Sequence, residues 1–208
     1  MVYGGDPNGF KASREDMRSD KDRQHESMTD LVPWLKYYDA LQSSEEETIS
    51  RFSLPLPEES ASTGPALVAG IPRDRLGKIG PFITEDSPKS HKGPFKWAVD
   101  FLVADGTPIL AMNDETVVEI EDSHEKWGND QSYANDLNYI TIKHSDGTFS
   151  QYCHLAKGSA RVQLEQEVTT GDELAKVGKT GWTDRDHLHV LVFRGGIITR
   201  ITNGNSRV

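Results

Sequence analysis

A single cysteine, Cys153, rules out an internal disulfide and any zinc cluster built on several thiolates. Long apolar runs are also missing. No stretch approaches the roughly 18 residues that a membrane-spanning helix needs, and mean hydropathy is −0.60. Positive charge is scarce: 23 Lys and Arg against 33 Asp and Glu leave −10. Such a balance repels phosphate backbones, and no local basic patch offsets it, so nucleic acid is not an expected partner. Residues 1–10 (MVYGGDPNGF) have neither the basic start nor the apolar core of a secretory leader. What the chain does have is seven histidines in 208 residues, a length that suits one domain with a short appendage and room for a substantial core.

The first 30 residues are rich in Asp, Arg, Lys, Ser and Met and poor in core-building groups, which predicts a mobile or weakly helical arm. Leu31, Trp34, Leu35, Tyr38 and Leu41 then fall at helical spacing and predict an amphipathic helix of three turns. Residues 1–48 are therefore read as a partly helical or disordered extension, and 49–208 as the main domain. Phe52–Pro57 reads as extended because each proline disfavours helix in the residue before it. Residues 58–66 and 71–81 read as loops.

Beyond residue 95 the pattern turns to strands. Thr116, Val118 and Ile120 alternate with Val117, Glu119 and Glu121, and Ile140 and Ile142 alternate with Tyr139, Thr141 and Lys143. Asp146-Gly147 between two such runs signals a hairpin. Taken as a two-residue turn, it sets Ser145 opposite Thr148 and Tyr139 opposite His154. Tyr139, Thr141, Tyr152 and His154 would then share one side, and Ile140, Ile142, His144, Phe149 and Cys153 the other. His144 would face the core. Residues 121–137 form a connection longer than packing requires.

His187-Leu188-His189 opens HLHVLVF. On a strand, His187, His189, Leu191 and Phe193 share one face and Leu188, Val190 and Val192 the other, so two imidazoles can serve one centre. Asp100 lies in AVDFLVA, a run that otherwise looks buried. A carboxylate there needs a partner, either a metal ion or backbone hydrogen-bond donors. His91, Asp100 and His189 together form a two-nitrogen, one-oxygen set of the kind zinc accepts while keeping a fourth position for water. His187 and His154 remain for proton transfer and oxyanion stabilisation. His124-Glu125 begins like the HExxH signature of helical zinc proteases, but Gly128 stands where the second His is required.

Four segments together resemble the lysostaphin-like, LytM-type zinc endopeptidases that cut the peptide bridges of bacterial peptidoglycan. The first is His91 with Asp100, followed by Gly106-Thr107-Pro108-Ile109-Leu110-Ala111. Asn138-Tyr139-Ile140-Thr141-Ile142-Lys143-His144 leading to Asp146-Gly147-Thr148 is the second. The third is Tyr152-Cys153-His154-Leu155, and the fourth is Gly178-Lys179-Thr180-Gly181 ahead of His187-Leu188-His189. The resemblance implies a mainly β domain of antiparallel, barrel-sandwich-like sheets around a narrow groove. It further implies one Zn2+ per chain held by His91, Asp100 and His189, with His154 and His187 as the catalytic histidines; which of the two is the base stays open, and His187 is preferred here because it neighbours a ligand on its strand. A peptidoglycan peptide would be the substrate, the setting extracytoplasmic, and no integral membrane contact is expected. The spacing departs from the usual motif: Asp follows His by nine residues instead of four, as in a branch of the family whose longer segment ends in Ala-x-Asp-Phe, here Ala98-Val99-Asp100-Phe101. Zinc D-Ala-D-Ala peptidases resemble Ser90-His91 and Ala98-Val99-Asp100 as well, but lack the Tyr-x-His-Leu and Gly-x-Thr-Gly partners. The remaining alternative is a non-catalytic wall-binding or regulatory module of the same fold.

Overall fold

Thirteen short strands carry the architecture among the described residues, which are 52–92, 95–194 and 197–199 of a computed structural model. The anticipated arm and helix of residues 1–48 lie outside the described residues. In chain order the strands are β1 (Leu76–Ile79), β2 (Phe82–Glu85), β3 (Val99–Phe101), β4 (Pro108–Leu110), β5 (Glu115–Glu121), β6 (Trp127–Gly128) and β7 (Tyr139–Lys143). They continue as β8 (Thr148–Cys153), β9 (Glu167–Val168), β10 (Glu173–Lys176), β11 (Gly181–Trp182), β12 (Leu188–Arg194) and β13 (Ile197–Thr199). Nine of them form one antiparallel sheet in the order β1-β2-β3-β12-β8-β7-β5-β9, with β13 added beside β12. Two small pairs flank it, β4 with β10 and β6 with β11. The fold is mainly β and antiparallel, as the sequence pattern indicates.

One face of the large sheet builds the core. Leu188, Val190 and Val192 of β12, Ile140 and Ile142 of β7, Tyr152 of β8 and Phe101 of β3 are all buried there. Ile109, Leu174 and Ala175 of the β4–β10 pair close the other side of the same cluster. This is the consequence of period-two alternation on strands that keep one face away from water.

The hairpin between β7 and β8 differs from its sequence reading by one residue. Tyr139 pairs with Cys153 and Lys143 with Phe149, not Tyr139 with His154. His144 N–H donates to Thr148 O at 2.8 Å and Gly147 N–H to His144 O at 3.0 Å, so the loop has three residues, 145–147. Gly147 occupies the left-handed region at φ 81° and makes the bulge that ends this loop type. Tyr152 therefore joins Ile140 and Ile142 on the core face, while Cys153 joins Tyr139 on the opposite face. His144 is buried on the core side, with its ring nitrogens 2.9 Å from Asp114 O and 2.9 Å from Ser150 Oγ.

Two segments read as loops are ordered differently. Residues Glu58–Leu67 form a 3-10 helix, and β1 occupies part of 71–81. Neither carries a clean apolar period, which is why alternation missed them. The long 121–137 connection contains β6 and a 3-10 turn over Gln131–Asp136.

Candidate metal centre and active-site cleft

Asp100 sits at the middle of β3, with Glu85 of β2 as its cross-strand neighbour on one side and His189 of β12 on the other. Cys153 of β8 continues that row beyond His189. The sheet thus lays a carboxylate, an imidazole and a thiol side by side on the face opposite the core. His189 Nδ1 is 2.7 Å from Asp100 Oδ1.

His91 reaches the same point from the loop joining β2 to β3. Its N–H donates to Ser87 O at 2.8 Å, closing a single turn that carries the ring back over the sheet. His91 Nε2 is 3.1 Å from Asp100 Oδ2, and Nδ1 is 3.1 Å from Asp86 Oδ1. Although Nε2 is close enough for an ionic contact, it is not aligned for a hydrogen bond and is a buried nitrogen without a hydrogen-bond partner among the described residues.

His154 follows directly on β8. Its φ of 63° places it in the left-handed region, costly for a side chain other than Gly. That reversal brings His154 onto the same cleft as its neighbour Cys153, which regular alternation would forbid. The backbone around it is clasped by Gly178, whose N–H donates to His154 O at 2.8 Å. A Cβ on Gly178 would stand 2.5 Å from Ala156 Cα, so only Gly permits this approach. His154 Nδ1 donates to Thr180 O at 2.7 Å, and His187 Nδ1 donates to Arg185 O at 3.1 Å. Each ring therefore turns its Nε2 toward the cleft, and the two ring centroids are 4.6 Å apart.

All five histidine and aspartate side chains singled out in the sequence come together and are buried. Donor atoms of His91, Asp100 and His189 lie within 4.8 Å of one another, as do those of His154, His187 and His189. Four ligands about 2.0–2.1 Å from a tetrahedral ion stand about 3.3 Å apart. The 3.1 and 2.7 Å contacts of Asp100 are near that spacing. Together with the unpartnered His91 Nε2, this makes the donor set fit a divalent metal of zinc's preferences.

Burial by itself would raise Asp100, but the imidazoles of His187, His91 and His189 more than reverse this and hold its carboxyl well below the usual range. Burial also opposes a charge on His91, yet Asp100 and Asp86 lift it above its ordinary value. His154 moves the other way: burial first, then His187 and His189 beside it, depress it well below the ordinary range. It is a neutral imidazole at pH 7.

The surrounding cleft has a volume of about 440 Å³. One wall comes from the 121–137 connection and β11, including Asn129, Gln131, Leu137 and Trp182. Arg75, Glu85, Lys89, Asp184 and Arg185 also line the cleft. Glu85 is buried between two arginines, ion-paired to Arg75 and 3.7 Å from Arg185 Nε. Asp86, Glu85 and the two carbonyls that orient the His154 and His187 rings were not singled out in the sequence. Thr180 stands inside the Gly178–Gly181 segment that was, whereas nothing in residue type marks the carbonyl of Arg185.

A concave β-sheet face bearing a buried histidine–carboxylate cluster of this kind is the setting of a metallopeptidase. The chain belongs to peptidase family M23, whose model matches residues 94–200. Asp100, His154, His187 and His189 fall inside that segment, and His91 lies three residues before it. An uncharacterized metalloprotease of Buchnera aphidicola is 29% identical over 116 residues, 56% of this chain and 26% of that protein. Cell division protein DipM of Caulobacter vibrioides is 31% identical over 84 residues, 40% of this chain and 12% of that protein. The chain thus spans about a quarter or less of the length of these curated relatives. A zinc-containing peptidase from Vibrio cholerae superposes with a TM-score of 0.46 at 19% identity, covering 72% of this chain and 38% of that one.

Proposed function

We propose that this protein is a zinc-dependent endopeptidase that hydrolyses peptide bonds in the stems or cross-bridges of peptidoglycan. Residues 49–208 would form the peptidase unit and 1–48 an extension of it. The observation that supports this most is the convergence of His91, Asp100, His154, His187 and His189, from four separate segments, on two donor groups that share His189, beside a cleft of about 440 Å³ that all but His91 line. His91 Nε2, an Asp100 oxygen and His189 Nδ1 would hold one zinc ion per chain. Bound there, zinc supplies Lewis acidity toward a scissile carbonyl and lowers the pKa of a water to about 7.

The chain's own groups would do the rest. Asp86 Oδ1, 3.1 Å from His91 Nδ1, would take the proton of that nitrogen and leave Nε2 to the metal, displacing the Ser87 N–H that lies 3.3 Å from the same nitrogen. His187 accepts the proton of the attacking water at Nε2. The resulting imidazolium would be stabilised by Asp100 Oδ1, 3.6 Å away. His154, oriented by Thr180 O, is left to meet the developing oxyanion. The Asn129–Leu137 wall and Trp182 would line the substrate peptide and exclude water. An extracytoplasmic setting goes with such a substrate. Among the described residues no helix is long and apolar enough to cross a membrane.

The test is hydrolysis of purified peptidoglycan by the zinc-loaded protein, with product masses identifying the bond. His154→Ala and His187→Ala should each lower the rate by about 10²-fold or more while zinc stays bound. Full binding of zinc with no release of peptide fragments by the unaltered protein would favour the regulatory module instead.

A further inference from the structure

The cleft lining is uneven in charge. Asn129, Gln131, Ala134, Leu137 and Trp182 are uncharged, whereas Arg75, Lys89 and Arg185 line it together with the carboxylates Glu85 and Asp184, three cations to two anions in a protein whose net charge is −10. Arg75 is committed to the protein: it ion-pairs with buried Glu85 and its Nε donates to Asp86 O at 3.2 Å. Arg185 is arranged otherwise. Both of its carboxylate neighbours approach the same nitrogen, Nε, with Asp184 Oδ1 at 2.9 Å and Glu85 Oε2 at 3.7 Å. Among the described residues neither terminal nitrogen of Arg185 donates a hydrogen bond. Its side chain is 25% exposed and lines the cleft. Glu85 is 6% exposed at its side chain and is itself fixed by Arg75, so the guanidinium is braced from behind with its outer edge open.

A planar, braced guanidinium edge is matched by a carboxylate, which accepts two parallel hydrogen bonds from it. Arg185 stands two residues before His187, whose ring its carbonyl holds, and its guanidinium lines the same cleft within reach of the Asp100 charge, which places an anion it receives in the cleft of the proton acceptor. Lys89, exposed and also lining the cleft, adds a second positive charge near Asp184. Resting on the peptidase reading above, we infer that Arg185, assisted by Lys89, is a specificity-determining residue that binds a free carboxylate on a substrate residue flanking the scissile bond. The preferred substrates are then carboxylate-bearing cross-links, and an uncharged glycine bridge is a poor one.

Two non-hydrolysable peptides, made by N-methylating the scissile amide, test this in binding alone. One carries a free carboxylate on the flanking residue and the other its primary amide. Titrated into the zinc-loaded full chain, the acid should bind about 10- to 100-fold more tightly than the amide, the range for a charge-assisted pair. In Arg185→Gln the ratio should fall to near unity, and in Lys89→Gln it should fall part of the way. Should circular dichroism show Arg185→Gln unfolded, the ratios in the unaltered protein and in Lys89→Gln decide the matter. Equal affinities for acid and amide would overturn the inference. So would an acid preference that survives Arg185→Gln, since the carboxylate would then be read by the metal. Hydrolysis of the unmethylated acid peptide is scored separately: its absence beside an intact acid preference would sink the peptidase reading and leave the carboxylate site standing.

Discussion

Replacing Asn138 with Ala should destabilise the domain by about 3 kcal/mol without touching a group that faces the cleft. The side chain is fully buried and ties two distant loops to β7. Its Oδ1 accepts His124 N–H at 2.9 Å, and its Nδ2 donates to His124 O at 2.9 Å and to Leu155 O at 3.3 Å. Three hydrogen bonds at about 1 kcal/mol each give about 3 kcal/mol. Two corrections act in opposite directions. The groups of His124 are partly buried and can regain water, which softens the loss. Leu155 O keeps the Thr180 hydroxyl at 2.9 Å, so it is not orphaned, but the cavity left by the amide adds a cost. The assay is urea denaturation at pH 7 in chelator, comparing midpoints at unchanged slope. For a domain of this size the melting temperature should drop by about 6–12 °C. A loss under about 1 kcal/mol would show that these loops are held by packing, and that the amide's three bonds are replaced by water at no cost.

Gly178→Ala should act on catalysis more than on global stability. The new methyl meets backbone atoms of Ala156 at 2.5 Å, which cannot rotate away, so the strain falls on the His154 segment; the expected result is retained zinc with at least a tenfold lower hydrolysis rate. Cys153 is fully buried and its thiol is pushed up by burial first and by Asp100 second, so iodoacetamide at pH 8 should label it only as fast as the domain opens, and stoichiometrically in urea. The depressed His154 gives a pH signature in the metal-free protein. Unfolded, it binds a proton near pH 6.5, while folded it does not, so stability should fall as pH drops below about 6.5 by at most about 1.4 kcal/mol per unit. His154→Gln should flatten that slope as measured by urea midpoints between pH 7 and 5, and an unchanged slope would contradict the depressed value.

Much of this is visible in the residues themselves, for reasons that also explain the rest. The strands β5, β7, β8 and β12 declare themselves because each keeps one face in the core, which forces apolar residues to every second position. Glu58–Leu67 hides because a 3-10 helix containing Pro65 buries only Gly64 and so has no stripe to read. The hairpin register slipped by one because Asp-Gly suits both a two-residue turn and the end of a three-residue loop, and only the partner of His144 tells them apart. The five side chains of the cleft stand out by type: imidazoles at alternating strand positions and a carboxylate in an apolar run. What orients them does not. Thr180 O and Arg185 O are backbone acceptors, and the left-handed turn at His154 has no compositional mark. The Glu85–Arg185 contact joins residues 100 positions apart, and it exists only because β2 and β3 bring Glu85 beside Asp100.

Zinc content of single-site variants tests the central claim most directly. Purified under zinc-replete conditions and analysed by mass spectrometry, the unaltered chain should carry about one zinc, and so should His154→Ala and His187→Ala. His91→Ala, Asp100→Ala and His189→Ala should each lose most of it. A His91→Ala protein that keeps its full complement, or an unaltered protein that never takes up metal, would contradict the assignment.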